Sequence, residues 1–193
     1  MGISINKVSG GSTPVVAPYT VFTALVTQSG ESDYVNQTSG LFTIGVTYTI
    51  DIYISGDDFS NIGGPPSAPN GAWDGFSFIA TGTTALNYTN GTGIDHNNGA
   101  PVVTILENTI GNVWFEYGSV GQYSIYLENA SYNKIFCPLQ IVVSTSLTFG
   151  NISYKIQTED DNLVTIVTKI TDTGEQTDDI LPNNTPIEIR VYN

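Results

Sequence analysis

Apolar residues along this chain alternate with polar ones far more often than they recur at helical spacing. In "PIEIRVYN" (186–193), Ile187, Ile189 and Val191 alternate with Glu188, Arg190 and Tyr192. This period of two turns one face of a strand to a core and the other to water. "QYSIYLENA" (122–130) repeats it with Tyr123, Ile125 and Leu127, and "NISYKIQTE" (151–159) with Ile152, Tyr154 and Ile156. "VTYTIDIYISG" (46–56) does so with Val46, Tyr48, Ile50, Ile52 and Ile54. The runs are short, rich in β-branched and aromatic residues, and stop at Gly, Asn, Asp or Pro, as strands do. The pattern predicts an all-β chain, a β-sandwich of immunoglobulin-like or jelly-roll-like kind.

Turn-forming stretches divide these strands. "MGISINKVSGGSTPVVAP" (1–18) holds two prolines and a Gly-Gly break, so residues 1–19 are expected to form a flexible N-terminal arm. "SNIGGPPSAPNGAW" (60–73) and "NYTNGTGIDHNNGA" (87–100) are too rich in Gly, Pro and Asn to be central strands. A further break falls near "STSLTFGN" (144–151). After it, strands around 157 and 167 and the last strand are expected to make a three-stranded C-terminal unit over 145–193, placed to pair with a sheet of the main body.

Two segments carry a family resemblance. "LFTIGVTYTIDIYISGDDFSNIGG" (41–64) with "NGAWDGFSFIATGTTALNYTNGT" (70–92) resembles a module that recurs in structural proteins of tailed bacteriophages. Its pattern is G-x-x-Y-x-I, then D-F-x-x-I/V-G, then N-x-x-G-x-x-F-x-A-T-G. Gly45, Tyr48, Ile50, Asp58, Phe59, Ile62, Gly63, Gly75, Phe78, Ala80, Thr81 and Gly82 fall on it, with "GAWD" stretching the interval from Asn70 to Gly75. The second resemblance joins "FTALVTQSG" (22–30), "PVVTILENTIGNVWFEYGSVGQYSIYLENA" (101–130) and "TPIEIRVYN" (185–193). Together these look like a module of virion proteins from phages that infect Bacteroidetes, the crAss-like phages among them. In that module the first two pieces are adjacent, whereas here residues 31–100 separate them. The economical arrangement is a β module, 31–100, inserted at a loop tip of a sandwich body made of 20–30 and 101–144; the alternative is one continuous sandwich with long loops.

The resemblance implies a structural virion protein, a capsid decoration or auxiliary protein or a head fibre. It would be assembled in the bacterial cytoplasm, attached to capsid or tail subunits, homo-oligomeric and located in the virion. No catalytic residue comes with either module. The alternative is a receptor- or glycan-binding adhesin.

Charge narrows the partners. With 5 Lys+Arg against 18 Asp+Glu, the formal net charge is -13, which repels phosphate backbones and anionic headgroups and argues against nucleic acid. The opening lacks the basic and apolar regions of an export signal, and no run approaches the length that spans a bilayer, so membrane insertion is not expected. A lone Cys137 excludes an internal disulfide and any cysteine-based zinc cluster.

Candidate chemistry is correspondingly thin. "GDDFSNIGG" (56–64) offers Asp57 and Asp58 in a glycine-rich turn, yet adjacent carboxylates diverge and do not form a calcium loop. The expected role is to cap turn amides, with Phe59 and Ile62 tucked onto the core. His96 is the sole histidine and has no partner for a metal site or a nucleophile–base pair. Glu107, Glu116 and Glu128 are candidate paired acids only if the fold gathers them. No catalytic residue, cofactor or metal is therefore assigned. Trp73 and Tyr88 are the candidate ligand contacts, with the ring stacking that a host-surface glycan would use. Trp114 is expected in the core.

Overall fold

The computed structural model describes residues 18–28, 30–128, 130–138, 144–146, 150–170, 173–178, 181 and 184–192. Its strands, in chain order, are β1 (Tyr19–Thr27), β2 (Tyr34–Gln37), β3 (Thr47–Ile52), β4 (Ser77–Ile79), β5 (Gly93–Asn97), β6 (Val102–Asn108) and β7 (Val113–Ser119). They continue with β8 (Gln122–Leu127), β9 (Ile135–Phe136), β10 (Ser144–Ser146), β11 (Gly150–Asp160), β12 (Leu163–Ile170) and β13 (Thr185–Tyr192). Single 3₁₀ turns at Ser60–Ile62 and Tyr132–Lys134 are the helical pieces among the described residues, and no helix there is long and apolar enough to cross a membrane. The all-β expectation holds.

Two sheets form a sandwich. One has the order β6-β1-β13-β9 and the other β10-β11-β12-β8-β7. Phe22, Ala24 and Val26 of β1 and Ile187 and Ile189 of β13 meet Phe115, Tyr123, Ile125, Leu127, Val164 and Ile166 of the facing sheet. Each fully buried Phe, Ile or Leu here contributes about 1.5–3 kcal/mol relative to exposure. Ile156 is buried in the same core; Ile152 and Tyr154 lie outside the described side chains.

The third sheet, β2-β5-β3-β4, belongs wholly to residues 34–97 and has its own apolar cluster. Phe42, Tyr48, Ile50, Tyr53, Phe59, Ile62, Phe78, Tyr88 and Ile94 fill it. The chain leaves and re-enters the sandwich at adjacent points: Gln28 Nε2 donates to Gly30 O (2.8 Å) and Gly99 O (3.4 Å). A Cβ on Gly99 would lie 2.9 Å from the Glu31 carbonyl.

A seam joins the third sheet to the sandwich. Ile79 of β4 is buried in the sandwich core rather than in its own cluster. Phe115 N donates to Thr47 Oγ1 (3.1 Å), Asn112 Nδ2 to Ser77 O (2.8 Å), and Val103 N to Gly45 O (2.9 Å).

Three expectations need correction. The described residues of 145–193 form no sheet of their own: β11 and β12 extend the sheet of β8, while β13 pairs with β1 from Tyr19↔Tyr192 to Val26↔Thr185. The last strand is thus internal, flanked by β1 and β9, because its apolar side completes the core over β1. In β3 the inward phase slips. The register against β5 shifts between Ile50 and Ile52, leaving Ile52 57% exposed and turning Tyr53 inward. Trp114 is not core, since Val113 and Phe115 take the inward positions of β7 and the period of two sends Trp114 outward. Of the expected N-terminal arm, 1–17 lie outside the described residues, and Tyr19 is already paired with Tyr192.

Candidate functional site

The acid-rich turn resolves into a structural device. Asp57 is fully buried. Its Oδ1 accepts from Thr89 N (2.9 Å), Asn90 N (3.0 Å) and Asn90 Nδ2 (3.0 Å), and its Oδ2 from Thr92 N (3.1 Å). Burial opposes the ionised form, and the hydrogen bonds from Asn90, Thr92 and Thr89 outweigh it, holding the carboxyl below the ordinary aspartate value. Asp58 accepts from Ser60 N and Ser60 Oγ through Oδ1. Both aspartates cap turn amides, as expected, and Phe59 and Ile62 are buried beside them. Asp57 ties down a loop more than thirty residues away, which the sequence did not reveal.

The two candidate ligand contacts lie in the inserted sheet's own cluster. Tyr88 is 9% exposed, packs on Phe42 and Phe59, and donates its hydroxyl to Gln37 O (2.7 Å). It has no free ring face to offer. Trp73 is half-buried, meets Phe76 edge to face, and donates Nε1 to Pro66 O (2.9 Å). Both rings act as packing elements.

The Nδ1 atom of His96 is buried without a hydrogen-bond partner among the described residues. His96 packs against the Tyr48 ring at 5.1 Å, and burial lowers its pKa despite the Asn98 side chain and nearby Asp33 and Asp95. Burial pushes the Cys137 thiol up to about 11, away from the thiolate a nucleophile needs. Glu107 lies on β6, and Glu128 accepts from Asn112 N (3.2 Å). Glu116 accepts from Trp114 Nε1 (3.3 Å). No group of three or more metal-ligating side chains occurs among the described residues.

What the fold does assemble is a cleft of about 210 Å³ along the seam. Tyr34, Thr47, Thr49, Asp95 and Asn97 form one wall, with Phe115, Glu116 and Tyr117 of β7 opposite. Of the three candidate glutamates, only Glu116 lines it. Tyr34, on the edge strand β2, is 73% exposed. Asp95 Oδ1 accepts from Asn36 Nδ2 (2.6 Å), and the Thr49 and Ser77 hydroxyls are bonded at 2.8 Å. Tyr117 donates to Asp178 Oδ2 (2.8 Å); burial first, then this carboxylate, pushes its phenol up to about 12. Aromatic faces with hydroxyl and carboxylate acceptors suit a neutral, hydroxyl-rich ring and disfavour an anion. The signal in the sequence was the polar side of an otherwise apolar strand: Thr47 and Thr49 alternate with Tyr48 and Ile50.

Comparison of the chain with protein-family models, curated proteins and solved structures returns no match.

Proposed function

We propose that the protein is a structural subunit of a tailed-phage virion, a capsid decoration or auxiliary protein or a head fibre, and that it is not an enzyme. The observation that carries this reading is the position of the residues in the phage-like pattern. Tyr48, Ile50, Phe59, Ile62, Phe78 and Ala80 line one apolar cluster. Gly45, Gly63 and Gly82 sit where a Cβ would approach Val103 O, Ile79 O and the Ile62 side chain at 2.5, 2.7 and 2.9 Å. The pattern encodes close packing, as expected of a module that serves as a building block and contacts partners through its outer surface.

One such surface has the composition of a subunit contact. On the outer face of the first sheet, the lone Arg190 lies 5.0 Å from the Tyr19 ring centre, and Tyr19 packs on Tyr192 at 5.4 Å. Phe136, paired with Arg190 and 48% exposed, extends the patch. Arginine and aromatic residues are enriched where protein interfaces bind most strongly. The test is an electron-microscopy map of purified particles, with mass spectrometry of the same particles. Density matching this three-sheet fold on the particle is expected; peptides confined to infected-cell lysate and absent from particles would overturn the proposal.

A glycan-binding adhesin is the second reading, favoured by the seam cleft and its exposed Tyr34. Binding of neutral oligosaccharides on an array, lost in Tyr34→Ala, would promote it over the first.

A further inference from the structure

The chain's few cations are unevenly used. Among the described residues the one ion pair is Arg190 with Glu188. Lys155 and Lys169 therefore have no carboxylate partner there, in a chain with 18 acidic residues. The two lysines are diagonal neighbours: Lys155 pairs with Val167 and Ser153 with Lys169, on β11 and β12. Ile156 and Thr168, next to them, are buried, so both lysines stand on the outer face of the five-stranded sheet. With Gln122, Gln157, Val167 and Gln176 they line a shallow cleft of about 460 Å³.

We infer that this outer face binds an acidic polysaccharide, with a carboxylate or sulfate of the ligand held between Lys155 and Lys169. Charge complementarity selects the anion, and the glutamine amides supply donors and acceptors for sugar hydroxyls. The same face continues along β8. Gln122, Ser124 and Tyr126 alternate outward, so Tyr126 lies about 13 Å beyond Gln122 at strand rise. There Tyr126 stacks on Trp114, with ring centres 5.2 Å apart and 10° between planes, giving sugar rings an apolar platform. Glu159, bonded to Gln157, and Glu116, bonded to Trp114, interrupt the face. They place the ligand's acid at the lysine end and a neutral sugar at the aromatic end. Sparse charge along the ligand also fits the net charge of -13, which repels a densely phosphorylated polymer. The inference stands whichever assembly the protein belongs to.

The test is binding of the full chain to an immobilised sparsely carboxylated, a sparsely sulfated and a neutral polysaccharide (hyaluronate, κ-carrageenan and dextran), at low and at physiological salt. Both acidic polymers should be captured and dextran should not; capture of one acidic polymer alone assigns the site to that acid. The double variant Lys155→Gln/Lys169→Gln should bind about tenfold more weakly, the effect of two solvated charge contacts. Trp114→Ala should weaken binding as well, Lys134→Gln should leave it unchanged, and thermal unfolding should not move in either lysine variant. Undiminished binding by the double variant, or no capture of either acidic polymer by the wild type, overturns the inference. Tighter binding of polyglutamate than of the polysaccharides overturns it in favour of an acidic protein partner.

Discussion

Replacing Asp57 by Asn tests whether one buried carboxylate holds the loop between β4 and β5. The carboxylate accepts four hydrogen bonds, three on one oxygen and one on the other. An asparagine can keep its oxygen toward Thr89 and Asn90, but its NH₂ then faces the Thr92 amide, donor against donor, where both residues are fully buried. Loss of one charge-assisted bond costs about 1.5–3 kcal/mol, and the orphaned Thr92 N–H about 1–3 more. Relief from burying a charge offsets part of this, leaving about 3–4 kcal/mol. For a urea slope near 2 kcal/mol/M, the midpoint should fall by about 1.5–2 M. Trp73, packed against the affected cluster, reports the transition in a Trp114→Phe background. Acid sharpens the test. The folded carboxyl titrates below its unfolded value, so its contribution is complete above pH about 4 and disappears as pH falls through the folded value. The Asn variant lacks that step, and its stability should decline less steeply below pH about 4. A midpoint within about 0.5 M of wild type, with an unchanged acid limb, would refute the claim that this carboxylate anchors the loop.

Two further outcomes concern the seam. Gly45→Ala should destabilise the protein by at least about 2 kcal/mol in urea unfolding, because its φ is +87° and a Cβ would lie 2.5 Å from Val103 O; a neutral effect would mean that the seam yields freely. Replacing residues 31–100 by a short Gly/Ser linker should leave a cooperatively folding β-protein, weakened because Ile79 no longer fills the sandwich core; loss of all cooperative unfolding, followed by circular dichroism, would show that the sandwich cannot stand without the insert.

Strands whose apolar alternation is unbroken were legible from sequence: Tyr123, Ile125 and Leu127, and Ile187 and Ile189, are buried as their period requires. Alternation fails where the register slips. Nothing local in "TIDIYI" marks the shift between Ile50 and Ile52, which exchanges Ile52 for Tyr53 as the inward residue. Pairing partners were not legible either. β13 finds β1 at the opposite end of the chain, and such a match is set by two complementary apolar faces rather than by any neighbouring residue. Trp114 shows the opposite error. The alternation of Val113, Phe115 and Tyr117 already assigns it outward. Tyr88 was hidden for a third reason: its loop reads as turn, yet Asp57 fastens that loop down so that the ring closes the cluster over Phe42 and Phe59.

The same contrast explains why acid-rich motifs misdirect in this chain. Asp57 anchors the 89–92 loop, and Asp74 accepts from Tyr53 N at 2.7 Å. Asp178 accepts from Gly121 N, Tyr123 and Tyr117 at 2.8, 2.9 and 2.8 Å. In each case a carboxylate ties its own loop to amides well separated from it in sequence, where helix-poor architecture leaves many turn amides without ladder partners. Carboxylates so engaged cannot also serve a substrate, and removing one would loosen a loop before it altered any surface chemistry. The cations are placed in the reverse way. Lys155 and Lys169 stand on an outer face and no described carboxylate reaches them. If both proposals hold, recognition falls to the outer faces, with the Arg190 patch on one sheet and the lysine pair on the other. Those two faces belong to opposite sheets of the sandwich, so a subunit docked through the first would present the second to solution.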